Sequence, residues 1–268
     1  MPYAPLPGVD LWYETAGEGT PVLLIMGFGV KGGAWRRQVP ALSARHRVVW
    51  FDNRGVGETR AKPRPVSLGH FADDAAGLLD HLAIERAHVV GISMGGMIAQ
   101  HLALRHAHRL ASLTLMATHA GGRLVVPPLP GLKRFVGAHF QRRGRGRAVL
   151  ELLMTPEYLA QADHAEILRD LREELCRKSP AGRLAQLGAV LRHNTRPHLG
   201  RLGQVPTLVV QPGRDILIDP RHSADLAARI PGARLVTLPD VGHGLLRERP
   251  AEVSALLLGH FAAAEAAG

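Results

Sequence analysis

Three residues in this sequence have the types and surroundings that acyl transfer needs. Ser93 stands in Gly91-Ile92-Ser93-Met94-Gly95-Gly96, Asp215 closes Gln211-Pro212-Gly213-Arg214-Asp215, and His243 stands in Asp240-Val241-Gly242-His243-Gly244. A serine hydroxyl is a weak nucleophile at neutral pH, so it needs a base, and the base needs a group that fixes its orientation. Ser93, His243 and Asp215 are the candidates for those three tasks. Asp219 is a rival for the carboxylate, although an aspartate just before Pro220 also reads as the start of a helix. Asp240 lies too near His243 in sequence to reach it comfortably. His101, His106 and His108 are read as surface or packing residues on or near the helix after Ser93.

The charge that develops on a substrate oxygen needs donors already in place. The backbone N–H of Met94, opening a helix, is one candidate. The other is the N–H of Phe28 in Gly27-Phe28-Gly29, a loop with little bulk at the end of an apolar run.

These residues must be positioned by strands and helices. Val89 to Ile92 is an apolar run and an Ala/Leu/Met-rich helical pattern starts straight after Ser93, so the serine is expected at the apex of a strand-to-helix turn. A side chain at Gly91 or Gly95 is expected to collide with a neighbouring strand or helix. Strands are expected at 9–15, 21–26, 47–51, 110–116, 207–210 and 234–238, the continuous apolar ones being covered on both faces. Helices are expected at 35–42, 68–82, 220–229 and 252–263, with Asp73, Asp74 and Asp80 of the second towards solvent. Strands alternating with helices give an α/β fold, a mostly parallel sheet flanked by helices, and its functional loops gather at the carboxyl ends of the strands. From 120 to 196 the alternation stops. A Pro/Gly-rich entry is followed by amphipathic segments, so 1–119 and 197–268 form the core and 120–196 a helical cap. Val125, Val126, Leu129, Leu132, Phe135 and Leu153 are the expected apolar lining of a pocket beneath it.

Composition narrows the field. The 268 residues hold 46% hydrophobic and 21% charged residues, as in a globular protein. No apolar run is long enough to span a bilayer, and the start of the chain has no signal-like core, so a cytoplasmic protein is expected. Cys176 is the single cysteine. The net charge of +10 comes from scattered arginines with few aromatics, which argues against a nucleic-acid partner. Metal and cofactor motifs are absent, so none is expected.

The chain resembles the α/β-hydrolase superfamily in four blocks: Leu23 to Gly29, Phe51-Asp52-Asn53-Arg54-Gly55-Val56-Gly57-Glu58-Thr59, Gly91 to Met97, and Gly213-Arg214-Asp215 with Gly242-His243. Within it the chain is most similar to small carboxylic-ester hydrolases of the aclacinomycin methylesterase type and, less closely, the 3-oxoadipate enol-lactonase type. The resemblance implies a serine hydrolase acting on a methyl ester or lactone of a small, largely apolar molecule. Met26 and Thr59 depart from it, standing where many relatives carry His and Ser. Meta-cleavage C–C hydrolases are similar at Ser-Met-Gly-Gly but usually carry Asn where Ile92 stands. Thioester hydrolysis, C–C bond hydrolysis, and a non-hydrolytic enzyme or small-molecule receptor remain alternative uses of the same fold.

Overall fold

The computed structural model describes every residue except 1, 63–64, 123–124, 126, 141–144, 176–179 and 268. Its centre is a nine-stranded sheet. Hydrophobic runs form its middle: β3 (Thr20–Ile25), β4 (His46–Phe51), β6 (Ala87–Ile92), β7 (Leu110–Met116) and β8 (Thr207–Pro212), and with the largely exposed edge strand β9 (Arg234–Leu238) they run parallel in the order β4-β3-β6-β7-β8-β9. β2 (Val9–Ala16) pairs antiparallel with β4, β1 (Tyr3–Leu6) pairs antiparallel with β2, and the two-residue β5 (Arg60–Ala61) adds to β2. The sequence pattern does not reveal β1 or β5, which are short edge strands with little alternation.

All six residues of β6 are buried. That is possible because helices cover both faces. On one side lie α2 (Leu68–His81), α3 (Met94–Arg105) and α9 (Arg221–Arg229), sharing a core with Phe71, Leu79, Ala99 and Leu226. On the other lie α1 (Val39–Ser43), the short α10 (Leu245–Glu248) and the closing α11 (Pro250–Ala267), packed through Leu42, Leu245, Leu257 and Phe261. Each fully buried Leu, Ile or Phe contributes about 1.5–3 kcal/mol, so these two layers dominate the stability.

The expected helix at 35–42 is two pieces, a 3₁₀ segment Gly32–Arg37 and then α1, because Pro40 has no N–H to continue a ladder and starts a new helix instead. Asp74 departs from its expected solvent position. Phe71, Asp74, Ala75 and Leu78 share the buried face of α2, and Asp74 forms a two-pronged ion pair with Arg54. Arg54 also donates to the carbonyls of Pro7 and Gly8, which pins β1 and the turn after β4 to α2.

Between β7 and β8 the described residues form α4 (Leu129–Phe140), α5 (Arg145–Leu153), α6 (Pro156–Gln161), α7 (His164–Glu174) and α8 (Pro180–Leu191), with no strand among them. Leu150, Met154, Ile167 and Leu171 give them a small core of their own. Among the described residues, no helix is long and apolar enough to cross a membrane.

Candidate active site

The turn at Ser93 is tight and strained. Ser93 has φ 55° and ψ −124°, a region an L-residue occupies only when its surroundings force it, at a cost of about 1–3 kcal/mol. Those surroundings are visible. Ser93 N–H donates to the Met116 carbonyl (2.9 Å), and its carbonyl accepts from Gly96 N–H (2.9 Å) and the Thr118 hydroxyl (2.8 Å). The flanking glycines leave no alternative. A Cβ on Gly91 would lie 2.3 Å from the Gly95 carbonyl oxygen, and one on Gly95 would lie 2.1 Å from that of Ile25. Strand and helix thus touch backbone to backbone, and the hydroxyl is thrown out at the apex.

Asp215 and His243 come together. His243 Nδ1 lies 2.7 Å from Asp215 Oδ2, both side chains being almost fully buried. The other carboxylate oxygen accepts from the backbone N–H groups of Leu217 (2.8 Å) and Ile218 (2.9 Å). A carboxylate held this way keeps Nδ1 as the protonated nitrogen of the neutral ring and leaves Nε2 as the acceptor. Asp219 is occupied elsewhere: it accepts the Arg221 N–H at the start of α9 (2.9 Å) and pairs with the Arg221 guanidinium. Asp240 is exposed. His106 pairs with Asp73, His108 is exposed, and half-buried His101 turns inward to His193.

Ser93, His243, Phe28 and Met94 all line one cavity of about 920 Å³. The Gly27–Gly29 loop approaches the serine so closely that a Cβ on Gly27 would lie 3.2 Å from Ser93 Cβ. Met94 begins α3, where the first N–H groups lack intrahelical partners. Among the described residues, Ser93 Oγ and His243 share the cavity without a hydrogen bond between them, a contact that in ligand-free sites often tightens only with substrate.

The loop is braced from three sides. Asn53 Nδ2 donates to the Met26 carbonyl (2.9 Å), so the brace acts on the backbone while the Met26 side chain stays in the core. Asp52 accepts from Gly32 N–H (2.8 Å) and Glu58 N–H (2.9 Å), and the Thr59 hydroxyl locks the same turn by donating to the Asp52 carbonyl (2.6 Å). The third brace is Gln186 of α8, fully buried: its Oε1 accepts Gly29 N–H (2.9 Å) and its Nε2 donates to the Arg54 carbonyl (2.8 Å). Sequence reading misses Gln186, whose one signal is a lone amide in the apolar run Leu184 to Leu191. Gln186→Ala leaves the Gly29 N–H buried without its partner, so a loss of about 1–3 kcal/mol in stability is expected. A fall in kcat with little change in KM should accompany it, measurable by denaturant titration and steady-state kinetics.

The helical segment is stitched to the His243 loop as well. Gly244 N–H donates to the Leu153 carbonyl (2.6 Å), and Glu248 accepts from Gly242 N–H (3.1 Å) and the Thr155 hydroxyl (2.7 Å). Burial holds the Glu248 carboxyl above its usual range, and the bonds to Thr155 and Gly242 work against that shift. Of the residues expected to line the pocket, Val125, Leu132, Phe135 and Leu153 do so. Leu129, 64% exposed, does not. Val126 and Cys176 lie outside the described residues.

His119 is a second cavity imidazole that the sequence does not single out. Gly121 N–H donates to its Nδ1 (2.9 Å), which leaves Nε2 protonated. His193 Nε2 lies 3.0 Å from the His119 carbonyl and must donate, so His193 Nδ1 accepts from His101 (3.2 Å). Burial, with neighbouring histidines adding to it, lowers His119 to about 4 and His193 to about 3; burial also lowers His260 to about 4. The unfolded chain therefore takes up protons as pH drops through the ordinary histidine range, while the folded chain refuses them until about pH 4 or 3. Stability is fully present above about pH 6.5 and declines below it, by about 1.4 kcal/mol per pH unit for each such histidine. Denaturant titrations between pH 7 and pH 5 should show this slope, and His193→Gln should remove about one proton from it.

For metal binding, His46, His88 and Glu265 place one ligand atom each within 4.8 Å of one another, among the described residues. They sit where β4 and β6 begin, at the end of the sheet away from Ser93. There His88 is hydrogen-bonded on both nitrogens, to Ser112 (2.8 Å) and Glu265 (3.2 Å).

The sequence model of the α/β hydrolase fold matches residues 20–151. A RutD protein of Azorhizobium caulinodans, designated a carbamate hydrolase, is 31% identical over 97% of both chains. Rhodomycin D methylesterase DauP of Streptomyces sp. (strain C5) is 30% identical over 96% of both. The crystal structure of the enol-lactonase from Burkholderia xenovorans LB400 superposes with a TM-score of 0.85 at 28% identity, covering 97% of this chain and 100% of that one.

Proposed function

The chain belongs to the α/β-hydrolase fold family, and we propose that within it this protein is a serine hydrolase cleaving a carboxylic ester or lactone of a small, largely apolar molecule through an acyl-enzyme. The observation that carries the reading is the 2.7 Å pairing of a buried Asp215 with His243, on the same cavity as a strained, glycine-flanked Ser93. Ser93 Oγ attacks the carbonyl carbon while His243 Nε2 takes its proton. The carbonyl oxygen becomes an oxyanion held by the Phe28 and Met94 N–H groups. As the intermediate collapses, the imidazolium returns the proton to the leaving alkoxide, and Asp215 stabilises the ring's transient charge. Water, deprotonated by the same imidazole, then releases the acid and restores Ser93.

Residues 120–196 act as a cap that shapes the substrate, since they supply most of the aliphatic wall, including Val149, Leu153, Leu168 and Leu187. The relatives' named chemistries, methylesterase, carbamate hydrolase and enol-lactonase, support hydrolysis at a carbonyl. A panel of methyl esters, lactones and thioesters tests the reading. Turnover of at least one oxygen ester is expected. Turnover confined to thioesters, or to no carbonyl substrate at all, would overturn it.

A further inference from the structure

We infer that Arg183 forms a carboxylate subsite in the cavity, so that the preferred substrate is an apolar ester or lactone that also carries a free carboxylate a few bonds from the scissile carbonyl. This rests on the ester-hydrolase reading and names the substrate class for it.

Among the described residues, four arginines reach the cavity: Arg37, Arg172, Arg183 and Arg247. Two already have carboxylate partners. Asp170 of α7 accepts from Arg37 (3.1 Å) and Arg247 (2.6 Å), Glu174 is 3.5 Å from Arg247, and Arg36, outside the cavity lining, pairs with both carboxylates as well. Arg172 is exposed on α7, where water solvates it. Arg183 differs from all three. It is half-buried against a mainly aliphatic wall, and no carboxylate of a described residue lies within ion-pair distance of it. A guanidinium offers five donors in a planar fork suited to a carboxylate, and at a low-dielectric wall its charge is compensated best by an anionic ligand.

Its position ties that charge to the reaction centre. Arg183 and Gln186 lie three residues apart on one face of α8, and Gln186 is bonded to Gly29 N–H. Arg183 Cδ is 4.0 Å from where a Cβ on Gly29 would stand. Gly29, with φ +67°, follows Phe28 directly, so the arginine stem crosses the loop that carries one proposed oxyanion donor. Arg183 is therefore a substrate-binding residue beside the acyl site, and the cationic field of a chain with net charge +10 would favour anionic substrates further.

The test compares monomethyl glutarate with its neutral isostere, methyl 5-amino-5-oxopentanoate. In the wild type kcat/KM should be about tenfold or more higher for the acid, the worth of one charge-assisted pair. In Arg183→Gln that ratio should collapse towards one, mainly through KM of the acid, and Arg183→Lys should restore part of it. A wild-type ratio near one, or a ratio that Arg183→Gln leaves unchanged, overturns the inference. Calorimetric titration of both esters into Ser93→Ala separates this from failure of the hydrolase reading. If neither ester is turned over, tighter binding of the acid that disappears in the Ser93→Ala/Arg183→Gln double variant still supports the subsite. Equal binding of the two esters there overturns it.

Discussion

Ser93→Ala lowers kcat on an ester substrate by about 10⁴- to 10⁶-fold, with KM nearly unchanged. Alanine removes the attacking oxygen and leaves the rest of the turn in place, because the bonds holding the strained backbone run through main-chain atoms and Thr118. The melting temperature should stay close to that of the wild type. Groups that act as a unit are not additive. A Ser93→Ala/His243→Ala double variant should therefore be little worse than either single variant, the residue of activity coming from the oxyanion donors and the cavity. Two single losses that multiplied in the double variant would mean that Ser93 and His243 act on separate steps.

The second large effect belongs to Asp215. Asp215→Asn keeps the size of the side chain and can keep a hydrogen bond to His243, but an amide can donate where the carboxylate only accepts. Facing a donor, Nδ1 becomes the unprotonated nitrogen and Nε2 carries the proton, so the imidazole can no longer accept from Ser93. A fall of about 10³- to 10⁴-fold in kcat is expected. The two N–H bonds from Leu217 and Ile218 to Oδ1 should preserve the loop, so circular dichroism and melting should show a folded protein. Asp219→Asn is the control, and its effect on kcat should be within a few fold, since Asp219 bonds to Arg221 and the start of α9. The reverse ranking would move the orienting role to Asp219.

Both predictions concern residues that the sequence already exposes, and there is a physical reason. Ser93, Asp215 and His243 each follow a strand within a few residues, and their neighbours carry local requirements. Gly91 and Gly95 cannot bear a side chain, and Pro220 marks the helix start that engages Asp219. Such constraints act over short stretches of chain and leave a mark in residue order. Gln186 acts on Gly29 across 157 positions, and nothing near either residue announces the pairing. The His101–His193–His119 chain is likewise assembled from α3, the loop after α8 and the end of β7. Asp74 is an intermediate case. Its spacing from Phe71, Ala75 and Leu78 puts it on the buried face of α2, but a lone aspartate there makes sense only once Arg54 is seen to meet it. Arg183 belongs to the same group, since its meaning depends on which arginines around the cavity already have partners.

The most direct test of Ser93 as the nucleophile is covalent. Treating the wild-type protein with a fluorophosphonate and mapping the product by peptide mass spectrometry reads out the activated serine without any assumption about substrate. One adduct is expected, on the peptide carrying Ser93, lost in Ser93→Ala and strongly slowed in Asp215→Asn and His243→Ala. An unmodified Ser93 in folded protein, or an adduct that forms as fast without His243, would contradict it.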